Sequence, residues 1–257
     1  MSERSFSQEG LPLVVAHRGA SIELPENTLA AFDRAVDVGA DAVEFDVRLT
    51  RDGVPMVMHD PDVSRTTDGL GSVRELTLAE LKALRIDGSL EVPTLAESLR
   101  LLSGRTGVDV EIKNLPGEPD FQPDGQSLVE AVLDVLHDVA FSGPVLLSSF
   151  NPFAIGHARA LAPEIPTGLL TNVDIEARAA LSFAREQGHP WVLPFVRMLL
   201  EAGPDYVAEV HAAGTRLGTW IVDDPAEATA LLREGVDAIA TNDPAAIVAA
   251  RREVTEA

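Results

Sequence analysis

Two kinds of segment alternate along most of this chain, and the alternation limits its possible folds more than any other feature. Short runs rich in Val, Ile and Leu, typical of buried strands, are followed by amphipathic runs typical of helices. Strands are predicted near residues 13–16, 42–47, 108–112, 144–148, 166–170, 191–193, 216–222 and 236–240. Helices are predicted near residues 27–39, 94–103, 126–139, 152–161, 175–186, 204–213, 225–234 and 244–252. This pattern favours a (β/α)8 TIM barrel over a doubly wound open sheet.

The segment 54–93 departs from the alternation. It reads as a short strand-like run, VPMVMHD, then the turn-rich DPDVSRTTDGLGSV, and then a short helical TLAELKAL. A segment of this length is too long for an ordinary strand-to-helix loop. We therefore expect an insertion of about residues 60–93 over one end of the barrel. No linker divides the chain, so a single barrel domain is predicted for residues 11–252.

Charge and composition exclude several classes of partner. The chain of 257 residues carries a formal net charge of −21, whereas nucleic acids and anionic membranes require basic surfaces. It contains no cysteine, so disulfides and thiolate metal sites are excluded. The start, MSERSFSQEGLPLVV, has no apolar signal-peptide core, and no 18-residue apolar run follows. We expect a cytoplasmic protein without nucleic-acid partners or stable membrane association. The sequence makes no prediction of its oligomeric state.

Polar residues stand at the ends of several predicted strands. Barrel strands are usually apolar on both faces, and the functional groups of such barrels gather at the carboxyl ends of the strands. Polar side chains there are therefore candidates for chemistry. They are His17 and Arg18; Glu44 and Asp46; His59 and Asp60; and Glu111 and Lys113.

The carboxylates of this set suggest a metal site. Glu44 and Asp46 are two residues apart and share one face of a strand, as do Glu111 and Lys113. Buried carboxylates repel one another unless cations are near, and oxygen ligands without cysteine favour Mg²⁺ or Ca²⁺. The alternative is a set of structural ion pairs within the core, Glu44 with Arg48 and Glu111 with Lys113.

Two histidines and one lysine complete the candidate site. Phosphodiester hydrolysis needs a base for the attacking oxygen and an acid for the leaving alkoxide, and His17 and His59 can serve in either role. Lys82 and Lys113 are the two lysines of the chain, against eighteen arginines. A lysine retained at position 113 suggests a need for a compact charge there.

In order along the chain, these motifs resemble the glycerophosphodiester phosphodiesterase family. The resemblance covers nearly the whole sequence. Its motifs are AHRGAS (16–21), PENT (25–28), the run AFDRAVDVGADAVEFDVRLTRDGVPMVMHD (31–60), SRTTDGLG (64–71), VPTLAESL (92–99), VEIK (110–113), LLSSFNP (146–152), GTWIVDD (218–224) and GVDAIATNDP (235–244). The resemblance implies a barrel in which residues 60–93 form the cap of the family.

Residue roles implied by the resemblance agree with those suggested by the strand ends and add three residues. The implied acid and base are His17 and His59; the phosphate-side cations are Arg18 and Lys113; the metal ligands are Glu44, Asp46 and Glu111. Glu26 and Asn27 of PENT are implied near the substrate, although Asn27 could instead be a helix N-cap. Trp220 is implied to pack on the glycerol moiety; its alternative role is as a core residue of the barrel.

The last two strands depart from the usual pattern of the family. WIVDD and TNDP stand where W-T-V-N and T-D-x-P are common, so Ile221 and Asp223 differ. We expect these changes to affect substrate specificity more than the chemical step.

The implied activity is hydrolysis of a glycerophosphodiester to sn-glycerol 3-phosphate and an alcohol, with water or the glycerol 2-hydroxyl as nucleophile. Cleavage of a lysophospholipid or another phosphodiester, by a phospholipase D-like or lyase-type route, is an alternative. A non-catalytic binding barrel is disfavoured because the histidines and carboxylates are all present. A Schiff-base aldolase using Lys113 is disfavoured by Glu111, which would stabilise the ammonium form.

Overall fold

Eight parallel strands form a closed barrel, which confirms the predicted fold class. The structure is a computed structural model that describes residue 6 and residues 12–122 and 127–255. The barrel strands are β1 (Leu13–His17), β2 (Ala42–Leu49), β4 (Gly107–Ile112), β5 (Val145–Ser149), β6 (Thr167–Thr171), β7 (Trp191–Pro194), β8 (Arg216–Thr219) and β9 (Ala238–Thr241). Each pairs in parallel with its neighbours, and β1 closes the ring by pairing with both β2 and β9.

One further strand lies outside the barrel. This strand, β3 (Pro55–Val57), pairs antiparallel with β2, with Val47 opposite Val57. The chain therefore runs past the end of β2, turns, and comes back alongside it. Met58 N–H donates to the Asp46 carbonyl over 3.0 Å, which brings the following residue, His59, to the level of the β2 carboxylates.

Helices fill the connections between the barrel strands. They are α1 (Leu29–Asp37), α2 (Leu78–Ala83), α3 (Leu95–Leu102), α4 (Ser127–Val139), α5 (Pro152–Leu161), α6 (Ala177–Gln187), α7 (Val196–Ala202), α8 (Tyr206–Ala212), α9 (Pro225–Glu234) and α10 (Pro244–Thr255). The sequence pattern predicted one helix between β7 and β8, whereas the structure has α7 and α8. Gly203, at φ 85°, ends α7, and Pro204 cannot continue it, so the segment divides there.

Four helices of the barrel begin at residues whose side chains cap the helix, namely α1, α3, α5 and α9. Thr28 Oγ1 accepts from Ala31 N–H at the start of α1, and Thr94 forms a capping box with Glu97 at the start of α3. Asn151 and Asp224 cap α5 and α9, each followed by proline. These caps fix the residue at which each of the four helices begins.

Strand β2 separates its apolar and charged residues between two faces. Val43, Phe45 and Val47 belong to the apolar core between barrel and helices, and the Phe45 ring lies 5.4 Å from the Phe32 ring of α1. Glu44 and Asp46 are buried on the opposite face, inside the barrel. The predicted alternation of β2 is therefore correct.

Apolar side chains and glycines also face the interior of the barrel. A Cβ on Gly168 or on Gly218 would lie 2.6 Å from the Leu193 side chain, so Leu193 fills the space between two glycines. Trp191, the first residue of β7, donates its indole N–H to the Phe6 carbonyl over 2.9 Å.

The insertion after β3 has an apolar core of its own. It contains two 3₁₀ helices, Val63–Arg65 and Val73–Glu75, followed by α2. Its buried cluster comprises Met56, Met58, Val63, Val73, Leu81, Ile86 and Val92. Within the described part of the chain, no helix combines the length and the apolar character needed to span a membrane.

Candidate active site

Three buried carboxylates meet at the mouth of the barrel. Asp46 of β2 stands opposite Glu111 of β4 in the strand register, and Glu44 lies two residues before Asp46. Carboxylate oxygens of the three lie within 4.8 Å of one another. The residues predicted from strands about 65 positions apart are therefore brought together, because β2 and β4 are neighbours in the barrel.

The three carboxylates differ in how their charge is stabilised. Burial, followed by the nearby Asp46 and Glu111, raises the pKa of Glu44 well above its usual range. Burial and Asp46 raise the pKa of Glu111 to about 7 against the opposing effect of Lys113. For Asp46, burial is outweighed by Lys113 and Arg18, so its pKa lies far below the usual range. Asp46 thus holds its negative charge, while Glu44 and Glu111 need a further cation to ionise fully.

Two cations contact this cluster. Lys113 Nζ lies 2.5 Å from Glu111 Oε1 and 3.0 Å from Asp46 Oδ1. Arg18 Nε lies 3.2 Å from Asp46 Oδ2, and the Arg18 backbone N–H donates to Glu44 Oε2 over 2.9 Å. The two acids outweigh the effect of burial on Lys113 and raise its pKa, so both cations remain charged beside the carboxylates.

The oxygens of the three carboxylates fit a divalent cation. Glu44 Oε1 is buried and has no hydrogen-bond partner among the described residues. Two cations face three carboxylates, Glu44, Asp46 and Glu111, and leave one negative charge uncompensated. An unpaired buried carboxylate oxygen is costly, and hard oxygen donors of this kind are typical ligands of Mg²⁺ and Ca²⁺.

Asn27 reaches this cluster directly. Its Nδ2 donates to Asp46 Oδ2 over 2.8 Å. The N-cap of α1 is Thr28, so the alternative that Asn27 is the helix cap is wrong. Asn27 and Arg18 both adopt φ 56°, a left-handed conformation that is unusual for residues other than glycine. The β1–α1 loop thus turns both side chains toward Asp46.

The candidate histidines lie beside the carboxylates. His17, at the end of β1, places Nε2 4.0 Å from Glu44 Oε2, and its Nδ1 lies 2.8 Å from Asn242 Oδ1. Burial, assisted by the charge of Arg18, lowers the pKa of His17 to about 4. Its imidazole is therefore neutral at physiological pH.

His59 has a different environment. Its Nδ1 lies 2.6 Å from Asp60 Oδ1, and its backbone carbonyl accepts from Arg48 Nε over 2.7 Å. Burial lowers the pKa of His59, while Asp46 and Asp60 oppose this effect. His59 thus faces a carboxylate where His17 faces a neutral amide.

Arg48 does not pair with Glu44, so that alternative for the carboxylates is wrong. Arg48 Nη1 contacts Asp120 at 2.7 Å and Glu118 at 2.9 Å, both in the β4–α4 loop. The other structural pair, Glu111 with Lys113, is present. Arg48 therefore ties this loop to the backbone of His59.

Glu26 joins the site to the insertion without touching the carboxylate cluster. Its Oε1 accepts from Arg18 Nη1 over 3.0 Å and from Arg65 Nη2 over 2.7 Å. Arg65 belongs to the first 3₁₀ helix of the insertion, and its Nε also contacts Asp60. Sequence reasoning missed Arg65, since nothing local to SRTTDGLG indicates that it returns to the rim.

Aromatic rings form one wall of the site. The Trp220 ring lies 5.3 Å from Phe150 and 5.1 Å from Phe195, and its indole N–H donates to the Leu193 carbonyl. Lys113 Nζ lies 5.7 Å from the centre of the Phe150 ring. Trp220 is half-buried and lines a cavity of about 180 Å³ that also contacts both histidines. An apolar surface therefore lies beside the charged groups.

Sequence reasoning missed a fourth carboxyl group and the partner of His17. Asp109, two residues before Glu111, lines the same cavity, and burial raises its pKa to about 7 although Ser148 donates to it. Alternation along VDVEIK could have identified it. The partner of His17 is Asn242, whose Nδ2 donates to Asp223 Oδ2 over 2.8 Å, so hydrogen bonds connect Asp223 to His17 through Asn242.

Comparisons with known proteins agree with this geometry. Residues 17–246 match the model of the glycerophosphoryl diester phosphodiesterase family. The glycerophosphodiester phosphodiesterase of Caldanaerobacter subterraneus subsp. tengcongensis is 32% identical over 252 residues, which are 92% of this chain and 96% of that protein. A probable glycerophosphodiester phosphodiesterase 1 of Mycobacterium tuberculosis is 34% identical over 251 residues, 91% of this chain and 90% of that protein.

Solved structures give the same result. An Oleispira antarctica phosphodiesterase in complex with the product sn-glycerol-3-phosphate has a TM-score of 0.83 and 32% identity, covering 93% of this chain and 96% of that one. Identity of this extent over nearly the whole chain, together with the family match, shows that the protein belongs to the glycerophosphoryl diester phosphodiesterase family.

Proposed function

We propose that this protein hydrolyses glycerophosphodiesters to sn-glycerol 3-phosphate and an alcohol, using a divalent cation held by Glu44, Asp46 and Glu111. The observation that carries the proposal is the cluster of three buried carboxylates with a histidine facing the same cavity on β1 and another after β3. Family membership, and the product bound to the Oleispira antarctica relative, support this class of substrate. Mg²⁺ and Ca²⁺ both suit these ligands.

Fixed charge in the site supports phosphate binding. A divalent cation held by Glu44, Asp46 and Glu111 would supply positive charge that stabilises the phosphoryl group. Arg18 offers a planar guanidinium that is held in place by Glu26 and Asp46. Lys113 adds a compact charge between Asp46 and Glu111. We assign the phosphate to Arg18 and Lys113, and the glycerol moiety to the apolar face of Trp220.

The two histidines differ in a way that suggests their roles. The pKa of His17 is lowered to about 4 by burial, so its neutral ring can accept a proton from the nucleophile. Burial lowers the pKa of His59 as well, but the Asp60 carboxylate, 2.6 Å from its Nδ1, opposes this effect, so His59 is the better placed of the two histidines to carry the proton that a general acid requires. We therefore assign the base to His17 and the acid to His59. The nucleophile is water or the glycerol 2-hydroxyl, and a cyclic phosphate among early products would identify the second.

A direct assay tests the proposed activity and its metal. Glycerophosphocholine and glycerophosphoethanolamine, supplied with Mg²⁺, Ca²⁺ or EDTA, are expected to give sn-glycerol 3-phosphate only with metal present. Loss of the cation removes several kcal/mol of transition-state stabilisation, so chelation should lower the rate at least about 100-fold. Full activity after exhaustive chelation would refute the metal assignment.

Metal binding is expected to stabilise the protein more strongly as pH rises from about 6 to 8. Glu111 has a pKa of about 7, and that of Glu44 is also raised, so the metal-free site holds protons in this range that a cation must displace. The free energy of unfolding of the metal-loaded protein should therefore exceed that of the EDTA-treated protein by an amount that grows with pH. The growth is at most about 1.4 kcal/mol per pH unit for each displaced proton.

Urea unfolding at several pH values, with metal and with EDTA, measures this difference. Groups remote from the metal cancel in it, including the buried His189, whose lowered pKa affects both samples alike. If the difference in the free energy of unfolding between the two samples did not change with pH, Glu44 and Glu111 would not be the ligands of the metal.

One exposed residue of the insertion allows a test of a second substrate class. Leu70, in the insertion, is 83% exposed, so the insertion presents an apolar side chain to solvent. Such a residue suits the acyl chain of a lysophospholipid. The same assay can compare the hydrolysis of lysophosphatidylcholine and glycerophosphocholine. A higher rate with lysophosphatidylcholine in wild type, but not in Leu70→Ser, would favour this class. Equal rates in both proteins would exclude a role for Leu70.

A further inference from the structure

Asp223 holds Asn242 in one orientation. Its Oδ1 accepts from Asn242 backbone N–H over 2.7 Å and from Thr241 Oγ1 over 2.9 Å. Its Oδ2 accepts from Asn242 Nδ2 over 2.8 Å. A carboxylate has no proton to donate, so the side of the Asn242 amide that faces Asp223 must be its NH₂ group.

The opposite side of that amide faces His17. Asn242 Oδ1 lies 2.8 Å from His17 Nδ1 and also accepts from Ser21 Oγ over 3.0 Å. An amide oxygen only accepts hydrogen bonds, so His17 Nδ1 must carry a hydrogen. In the neutral imidazole, Nε2 is then bare, and this nitrogen is the one that lies 4.0 Å from Glu44 Oε2 at the carboxylate cluster.

We propose that Asp223 is a positioning residue that fixes the tautomer of His17 through Asn242, so that Nε2 faces the reaction as a proton acceptor. The inference rests on the proposed function, in which His17 is the base. Asp223 follows β8 and Asn242 follows β9, which pairs with β1, so the chain of hydrogen bonds crosses three neighbouring strands. The last of these hydrogen bonds is made to His17 Nδ1, the ring nitrogen that does not face the carboxylate cluster.

Isosteric exchange of the two residues tests the pairing. In Asp223→Asn, the new amide can keep its oxygen toward Thr241 and the Asn242 N–H only by turning its NH₂ group against the NH₂ group of Asn242. Rotation of the Asn242 amide relieves this conflict, presents NH₂ to His17 Nδ1 and moves the imidazole proton to Nε2. Asn242→Asp instead sets two carboxylates against each other.

The double variant D223N/N242D restores every hydrogen bond. The amide at position 223 then donates to the carboxylate at position 242, and that carboxylate accepts from His17 Nδ1–H. We expect each single change to lower kcat about 10- to 100-fold with KM within about threefold, because general base catalysis contributes about 10²–10⁴ and Asp223 is exposed to water. The double variant should return to within about threefold of wild type.

Asp224→Asn is the matched control. Asp224 is the adjacent residue, loses the same charge, and caps α9 by accepting from Ala226 N–H, which asparagine can do equally well. Its kcat and KM are expected to remain those of wild type.

Nitrogen-15 NMR of histidine-labelled protein reads the tautomer directly. The His17 signals, assigned with His17→Gln, should report a protonated Nδ1 and a bare Nε2 in wild type and in the double variant. They should report the reverse in Asp223→Asn, both with metal and with EDTA. Because this readout does not require turnover, it stays informative even if wild type fails to hydrolyse the substrates.

Two results would overturn the inference. The first is an Asp223→Asn protein whose His17 tautomer and kcat match wild type. The second is a double variant that unfolds at the wild-type temperature yet recovers neither the tautomer nor kcat. Absence of hydrolysis by wild type and Asp224→Asn, with the tautomer change intact, would instead refute the proposed function alone.

Discussion

His17→Gln and His59→Gln are each expected to lower kcat for glycerophosphocholine about 10³-fold, since positioned acids and bases contribute about 10²–10⁴. Both residues are near the rim, and glutamine retains one polar group, so the fold should be preserved. The two histidines act in one reaction, and the double variant should therefore lose much less than the product of the single losses.

A substrate with a better leaving group separates the two roles. The p-nitrophenyl diester of glycerol phosphate releases a stable anion that needs no proton, so His59→Gln should recover most of its activity on it while His17→Gln should not. His137→Gln, an exposed histidine of α4, is the matched control and should behave as wild type. Recovery by His17→Gln instead would reverse the assignment, and turnover within tenfold of wild type in both variants would refute it.

Asp46→Asn and Glu44→Gln are both expected to abolish metal binding and activity, yet only Asp46→Asn is expected to destabilise the metal-free protein. Asp46 pairs with Lys113 and Arg18, so its loss takes one of two carboxylate partners from each of these largely buried cations and should destabilise the protein by about 3 kcal/mol. The raised pKa of Glu44 means that its charge is unfavourable in the metal-free site. A neutral glutamine there should leave stability unchanged or raise it by about 1 kcal/mol near pH 8.

Urea unfolding in EDTA at pH 8 gives the two stabilities, and titration calorimetry gives metal binding. Each variant is the control for the other, because both replace a buried carboxylate by its amide within one strand. Equal destabilisation by both changes would contradict the different electrostatic environments of Glu44 and Asp46. Retained metal affinity in either would remove that residue from the ligand set.

Local patterns in the sequence were sufficient to predict the barrel fold and to identify its candidate carboxylates. The alternation of strand and helix segments requires a parallel sheet covered by helices, and the two-residue period of AVEFDVRL assigns Glu44 and Asp46 to the face opposite Phe45. Both features depend on neighbouring residues alone. The same period along VDVEIK placed Glu111 and Lys113 together and also contained the information for Asp109.

Contacts between distant segments could not be predicted in this way. The antiparallel turn of β3 decides that His59 returns to the level of Asp46, and nothing in VPMVMHD specifies it. Arg48 shares a face with Glu44 by its spacing, yet it pairs with Asp120, 72 residues away. The partner of His17 is Asn242, at a separation of 225 residues, and it is available only because β9 closes the barrel beside β1.

The sequence alone therefore determined the fold class, the candidate ligands and the pair of histidines, because periodicity and strand ends are local properties. The tertiary structure decided which charges compensate one another and which atom of each histidine is free to react. The physical reason is that pKa values and tautomers depend on burial and on partners within about 3 Å, and barrel closure brings those partners from the far ends of the chain.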